Sequence, residues 1–151
     1  MMAKTHFAFG FLAGLLLLPV VAPKDVILFF AIVLIGALLP DIDTTNSKLG
    51  RRIPVIPRLI SLVSKHRGIF HSIWIALAAS LTLGYLTYPV HGIALFIGYM
   101  SHLFSDGLTL EGINFIHPIG KLHMSGFIET GKTGELVLFL GLVGVIVLMV
   151  V

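Results

Sequence analysis

The chain has 151 residues, of which 57% are hydrophobic and 11% charged, with a mean hydropathy of +1.05. Soluble domains carry roughly a quarter charged residues, so this composition excludes a water-soluble globular protein and leaves room for four or five membrane spans of about 20 residues. The lack of cysteine excludes disulfides, thiolate nucleophiles and cysteine-type zinc or iron–sulfur sites, and the net charge of +3 resides mostly in one loop, a mark of membrane orientation rather than of nucleic-acid binding.

Five apolar segments follow in chain order, from about Phe7 to Val21, Val26 to Leu39, Ile69 to Tyr88, His91 to Phe104 and Leu136 to Val151. They predict an all-α, polytopic integral membrane helix bundle of about five transmembrane segments, a single domain over residues 1–151. Several segments are shorter than an untilted span, so their polar flanks should lie at the interface or slightly inside it. A signal peptide ending at Ala22 is the competing reading of the first segment.

Chain alternation puts the N-terminus, the 41–68 loop and the 105–135 region on one side. That side holds Lys4, Lys48, Arg51, Arg52, Arg58, Lys65, Arg67, Lys121 and Lys132, against Lys24 alone on the other. The bias predicts a multi-pass protein of the cytoplasmic (inner) membrane with its N-terminus in the cytoplasm and its C-terminus outside.

Histidines and carboxylates gather at segment ends on that same side. His6 opens the first segment, alone a weak signal. Asp41 and Asp43, in Leu-Leu-Pro-Asp-Ile-Asp, close the second; two acids one residue apart suit a divalent ion, and at a helix C-terminus they oppose the macrodipole unless a cation offsets it. The bland reading is a pair of solvated loop acids.

His66 and His71, in His-Arg-Gly-Ile-Phe-His, open the third segment. On one helix they would point about 140° apart, so both serve one site only if Gly68 interrupts the helix. Arg67 between them has the planar fork that suits a phosphate, or else it is a topogenic charge. His102 and Asp106 are four residues apart at the end of the fourth segment and share a helix face, either as metal ligands or as an interfacial hydrogen-bonded pair.

Glu135 opens the last segment as a ligand, an orienting group or a partner of the helix N-terminus. The preceding Gly-Lys-Thr-Gly lacks the full phosphate-loop pattern. His91 falls on the opposite side, and His117 and His123 lie in a stretch with the character of an interfacial or re-entrant loop.

Thr-His-x-x-x-Gly at Thr5 to Gly10, Leu-Leu-Pro-Asp-Ile-Asp at Leu38 to Asp43, His-Arg-Gly-x-x-His-Ser at His66 to Ser72, Gly-Tyr-x-Ser-His-Leu-x-x-Asp at Gly98 to Asp106 and Thr-Gly-x-x-x-Glu at Thr130 to Glu135 together resemble the YdjM-type predicted membrane-bound metal-dependent hydrolases. The resemblance spans nearly the whole chain, in order, and implies a cytoplasmic-membrane hydrolase.

The expected function is a membrane-embedded metal-dependent hydrolase acting at the cytoplasmic interface. His6, Asp41, Asp43, His66, His71, His102 and Asp106 are the candidate metal ligands, for one or two divalent ions, Zn2+ before Mn2+. Bound water would attack a phosphoryl or acyl centre, most simply of a lipid or lipid-linked phosphoester, with Arg67 clamping a phosphoryl group and a carboxylate left free of the ion, Asp43 or Glu135, or a histidine not bound to it, assisting. The expected partners are the lipid bilayer and that phosphoester, with no nucleic acid. The rival is a non-catalytic metal-binding membrane protein: a regulator, a partner subunit or an ion carrier. A conduction path is disfavoured, because transporters place ionisable groups near the midplane.

Overall fold

The computed structural model describes residues 1–43 and 69–151, with the backbone alone of Ile42, Asp43 and Ile69. Among the described residues the chain forms five α-helices: α1 (Ala3–Val21), α2 (Val26–Gly36), α3 (Ile73–Leu86), α4 (Pro89–Gly107) and α5 (Thr133–Val150). Short 3-10 turns cover Leu39–Asp43 and Ile69–His71. The mostly helical expectation is met, with one addition: two-residue strands β1 (Ile113–Asn114) and β2 (His123–Met124) pair antiparallel in the segment between α4 and α5. Helices α1 and α5 are long and apolar enough to cross a membrane, with mean hydropathies of 1.6 and 2.4.

Local chemistry sets the ends of these helices. Ala22, at φ 43, adopts the left-handed conformation, and its N–H donates to the Leu18 carbonyl to close α1. The Asp25 side chain accepts from the Leu28 N–H at 2.9 Å and caps the start of α2. Helix α2 stops at Gly36 because Pro40 lacks an N–H and its ring would collide with the carbonyl four residues earlier. Pro89 begins α4, where no intrahelical donor is needed.

Helix α4 is the centre of the molecule. It packs against α1, α2 and α3, while α5 packs on α1. Phe29, Val33, Ala94 and Ile97 fill the contact of α2 with α4, and Ala76, Tyr99, Leu103 and Ile113 fill that of α3, α4 and β1. The start of α1, the end of α2, the start of α3, the end of α4 and the start of α5 all lie at one end of the bundle, as the side-chain contacts described below require.

Helices α2 and α4 approach so closely that only glycine fits. A Cβ on Gly36 would sit 2.6 Å from the Leu95 carbonyl oxygen, and one on Gly98 would overlap the Val33 carbonyl. Gly98→Val should therefore lower stability by about 3 kcal/mol through overpacking against backbone. Gly144→Ala, on a face of α5 with nothing within 4 Å, should change it by less than about 1 kcal/mol. Unfolding midpoints of the two variants in the same detergent check the contrast; equal midpoints would contradict the close α2–α4 contact.

Candidate metal centre

Five side chains from four parts of the chain meet at that end of the bundle. His6 comes from the first turn of α1, Asp41 from the turn after α2, His71 from the turn before α3, and His102 and Asp106 from the last turns of α4. His6 and His102 are fully buried, His71 is 1% exposed and Asp106 2%, whereas the Asp41 side chain keeps 25% of its surface.

Two hydrogen bonds decide which nitrogen each central imidazole presents. His102 Nδ1 lies 2.8 Å from the Ala37 carbonyl oxygen, which can only accept, so Nδ1 carries the proton. The Ser105 hydroxyl gives its proton to the His102 carbonyl at 2.9 Å, so it accepts from His6 Nδ1 at 2.8 Å. Both rings are thus held with Nε2 facing the cluster, and among the described residues neither Nε2 has a hydrogen-bond partner. The two rings stack with centroids 3.9 Å apart and planes within 11°.

The carboxylates lie opposite these nitrogens. His6 Nε2 is 3.5 Å from Asp106 Oδ1; His71 Nε2 and His102 Nε2 are each 3.7 Å from Asp106 Oδ2 and 3.9 Å from Asp41 Oδ1. Asp106 Oδ1 also accepts from the Met1 amino group at 2.6 Å. The imidazole–carboxylate separations exceed ordinary hydrogen-bond lengths of about 2.7–3.2 Å. They approach the spacing of about 3.3 Å between two ligands that each bind zinc tetrahedrally at about 2.0–2.1 Å.

Two sets, His6–Asp41–His102 and His71–His102–Asp106, each bring one ligand atom per residue within 4.8 Å of the others. Lone pairs of buried imidazoles aimed at buried carboxylates repel unless a cation stands between them, and nitrogen with carboxylate oxygen is a donor set for zinc or manganese. These groups could hold a metal ion.

Glu135 takes a different place. Its buried carboxylate accepts from the Met2 N–H at 2.6 Å, the Thr5 hydroxyl at 2.7 Å and the Gly131 N–H at 2.6 Å, clasping the start of α1 to the start of α5. Asp43 lies in the turn beside Asp41 with its side chain outside the description, and His66 and Arg67 lie outside the described residues. His91 is half-buried at the other end of the bundle, where its ring contacts Thr87 and Tyr88. His123 is exposed on β2 and His117 lies in the same segment, both apart from the cluster. Sequence reasoning did not single out Ser105 or the Ala37 carbonyl, which orient the histidines, and named Thr5 as part of a motif without its bond to Glu135.

The fold and this end of the bundle define a small helical membrane protein with a buried His/Asp cluster able to bind a metal. The chain belongs to the YdjM inner membrane protein family, which matches residues 1–151. It is 32% identical over 120 residues to the protein YvsG of Bacillus subtilis (strain 168), covering 78% of this chain and 75% of that one. It is 33% identical over 132 residues to the inner membrane protein YdjM of Escherichia coli (strain K12) and to that of Shigella flexneri, covering 78% of this chain and 66%, just under two thirds, of each relative. No solved structure matches the chain.

Glu135→Ala would leave two backbone N–H groups and a hydroxyl without their buried acceptor. Hydrogen bonds to a charged group are each worth about 1.5–3 kcal/mol, and the variant should lose on the order of 2 kcal/mol after partial rehydration. A thermal-unfolding midpoint indistinguishable from the parent protein would contradict the clasp.

Proposed function

We propose that this chain is a membrane-embedded metal-dependent hydrolase whose centre holds one divalent ion, zinc before manganese, and cleaves a lipid or lipid-linked phosphoester. The observation that carries the reading is the pair of buried Nε2 atoms on His6 and His102, each fixed by a committed Nδ1 and each facing Asp106. Solvent-facing histidines need no such arrangement. Hydrogen bonds that set the tautomer are the usual support of metal-bound imidazole.

One ion follows from His102. It belongs to both candidate sets, yet its Nδ1 is spent on Ala37, so it has a single nitrogen to give. His6, His71, His102, Asp106 and Asp41 would then surround a common ion. Such an ion would acidify water toward neutral pH and polarise a phosphoryl oxygen. Asp41, the most exposed of the five, would border the side from which water and substrate arrive. Asp43 and Arg67 would act there as assisting carboxylate and anion clamp, with Glu135 behind the site holding α1 in place.

The helices alternate in direction with the cluster at one end, which supports five crossings of the membrane, the two shorter helices lying in a locally thinned bilayer. The nine-to-one distribution of basic residues supports a cytoplasmic N-terminus and an external C-terminus. A site at helix ends, flanked by lipid-facing helices, favours a substrate that reaches it from the leaflet. Near-complete burial of four donors favours the second reading, a structural ion in a non-catalytic protein, because structural sites are closed and catalytic ones keep an open position.

Metal analysis of the purified protein should find about one divalent ion per chain by this donor count. The ion should be lost in His102→Ala and Asp106→Ala with helicity retained. No stoichiometric metal in the parent protein would overturn the centre itself. Product release from a panel of lipid phosphoesters, abolished in both variants, is expected for the hydrolase; bound metal without turnover on any substrate would leave the structural-ion reading.

Ser105 is a positioning residue by this account. Ser105→Ala frees His6 Nδ1 to lose its proton to Nε2, and should weaken metal affinity by about 10- to 100-fold. The unfolding midpoint of the metal-free protein should stay near that of the parent. Unchanged affinity measured by competition with a chelating dye would remove Ser105 from that role.

A further inference from the structure

The segment 108–132 forms a lobe that crosses the end of α4, and its outer surface is not that of a loop in water. Phe127 is 84% exposed, Ile119 75%, Leu110 55% and Leu122 49%. Scattered apolar residues on a surface are ordinary, but with Met124 at 38% these make five large ones concentrated in one short segment, which soluble surfaces avoid.

These side chains are held outward by backbone bonding. The Gly126 N–H donates to the Thr109 carbonyl at 2.9 Å and the Ile128 N–H to the Leu108 carbonyl at 3.1 Å, fixing Phe127 between them. The Asn114 side chain donates to the Gly120 carbonyl at 3.0 Å and accepts from the Leu122 N–H at 2.9 Å, fixing the turn that carries Ile119. Ile113 and Ile128 are the apolar residues the lobe buries.

The lobe is also continuous with surfaces that face lipid. It runs into α5, whose apolar side chains are exposed along the helix, and it is tied to the first turn of α3, where the Ile73 N–H donates to the Phe115 carbonyl at 3.0 Å. Trp74 beside that bond donates its indole N–H to the Ile116 carbonyl at 3.3 Å and leaves its ring 43% exposed. An indole with its polar end satisfied and its ring outward is what membrane interfaces select. Lys121, between Ile119 and Leu122, can extend its ammonium to the headgroups while its stem stays among them.

We propose that this lobe is an interfacial anchor, with Leu110, Ile119, Leu122 and Phe127 seated in the headgroup region of a phospholipid leaflet beside the end of α4. Its charged residues are two acids, Glu111 and Glu129, and two bases, Lys121 and Lys132, which balance. Attachment therefore rests on apolar burial rather than on anionic lipid. The anchor depends neither on the bound ion nor on the reaction, and it would hold the centre at the depth where lipid headgroups lie.

Trp74 is the one tryptophan of the chain, so a reporter can be moved. In the full-length protein with Trp74→Phe, Phe127→Trp and Ile119→Trp are each introduced and the protein is reconstituted in phosphatidylcholine vesicles. Both emissions should be blue-shifted from that of indole in water and quenched more by lipid brominated near the glycerol than by lipid brominated near the chain end. Replacing part of the lipid with phosphatidylglycerol, or adding salt, should leave this unchanged. Water-like emission without quenching by either lipid overturns the anchor. So does a blue shift without lipid quenching that vanishes on dilution of protein in lipid, which would assign the patch to a second copy of the chain. Quenching that requires phosphatidylglycerol overturns the apolar mode of attachment.

Discussion

A carboxylate removed from water beside the C-terminal carbonyls of a helix is among the least favourable placements a charge can take, and Asp106 occupies that position in α4 with 2% of its surface exposed. Burying an ion in an apolar interior costs several kcal/mol, and the negative end of the helix dipole adds to it. The surroundings must supply compensating charge. Helix α4 stands at the centre, so every neighbour can contribute to that one point: the start of α1 brings His6, the turn before α3 brings His71, and α4 itself brings His102 one turn back. The Met1 ammonium on Asp106 Oδ1 at 2.6 Å supplies one positive charge, and the imidazoles, which turn lone pairs rather than protons toward the acid, add donors for a cation but no charge of their own.

A chain of small causes prepares His102 for its part. Pro40 ends α2 at Gly36, which leaves the Ala37 carbonyl without a donor from within the helix. Glycines at 36 and 98 let α2 and α4 come close enough for that carbonyl to accept the His102 Nδ1 proton. Nε2 is then the only nitrogen turned toward the acids. On the other ring Ser105 does the same for His6, by spending its own proton on the His102 carbonyl. Backbone geometry, set by a proline and two glycines, is converted into the orientation of a lone pair.

The sequence displayed the donors better than their setting. His102 and Asp106 were legible from a spacing of four, and Asp41 and His71 from their places at the ends of apolar runs. Helix limits shifted: α4 runs on through Gly107 and α1 starts at Ala3, so His6 and Asp106, just outside the apolar runs, lie within helices, as the shared face of His102 and Asp106 requires. The apolar runs mark hydrophobic length, whereas a helix continues through polar residues as long as its backbone bonds are made. Ser105 gave no usable signal, since a serine in an apolar helix ordinarily bonds only its own helix. A backbone carbonyl such as Ala37 has no signature in side-chain patterns at all. The lobe was read as an interfacial loop without its strands, because two-residue strands are too short to show alternation.

The placement of the basic loop bears on whether the centre performs chemistry. Residues 44–68 contain Lys48, Arg51, Arg52, Arg58, Lys65 and Arg67. The chain enters this segment three residues after Asp41 and leaves it three residues before His71, both of which lie in the cluster. A structural ion already balanced by buried carboxylates has no need of six further cations on the same tether, and their mutual repulsion beside a divalent ion would be unfavourable. An anionic substrate arriving at the Asp41 edge would remove that repulsion, and phosphate is the lipid-borne group for which arginine forks are best shaped. The same charges serve orientation in the bilayer, but orientation requires only that they lie on one side of it, not that the segment carrying them begin and end beside the His/Asp cluster.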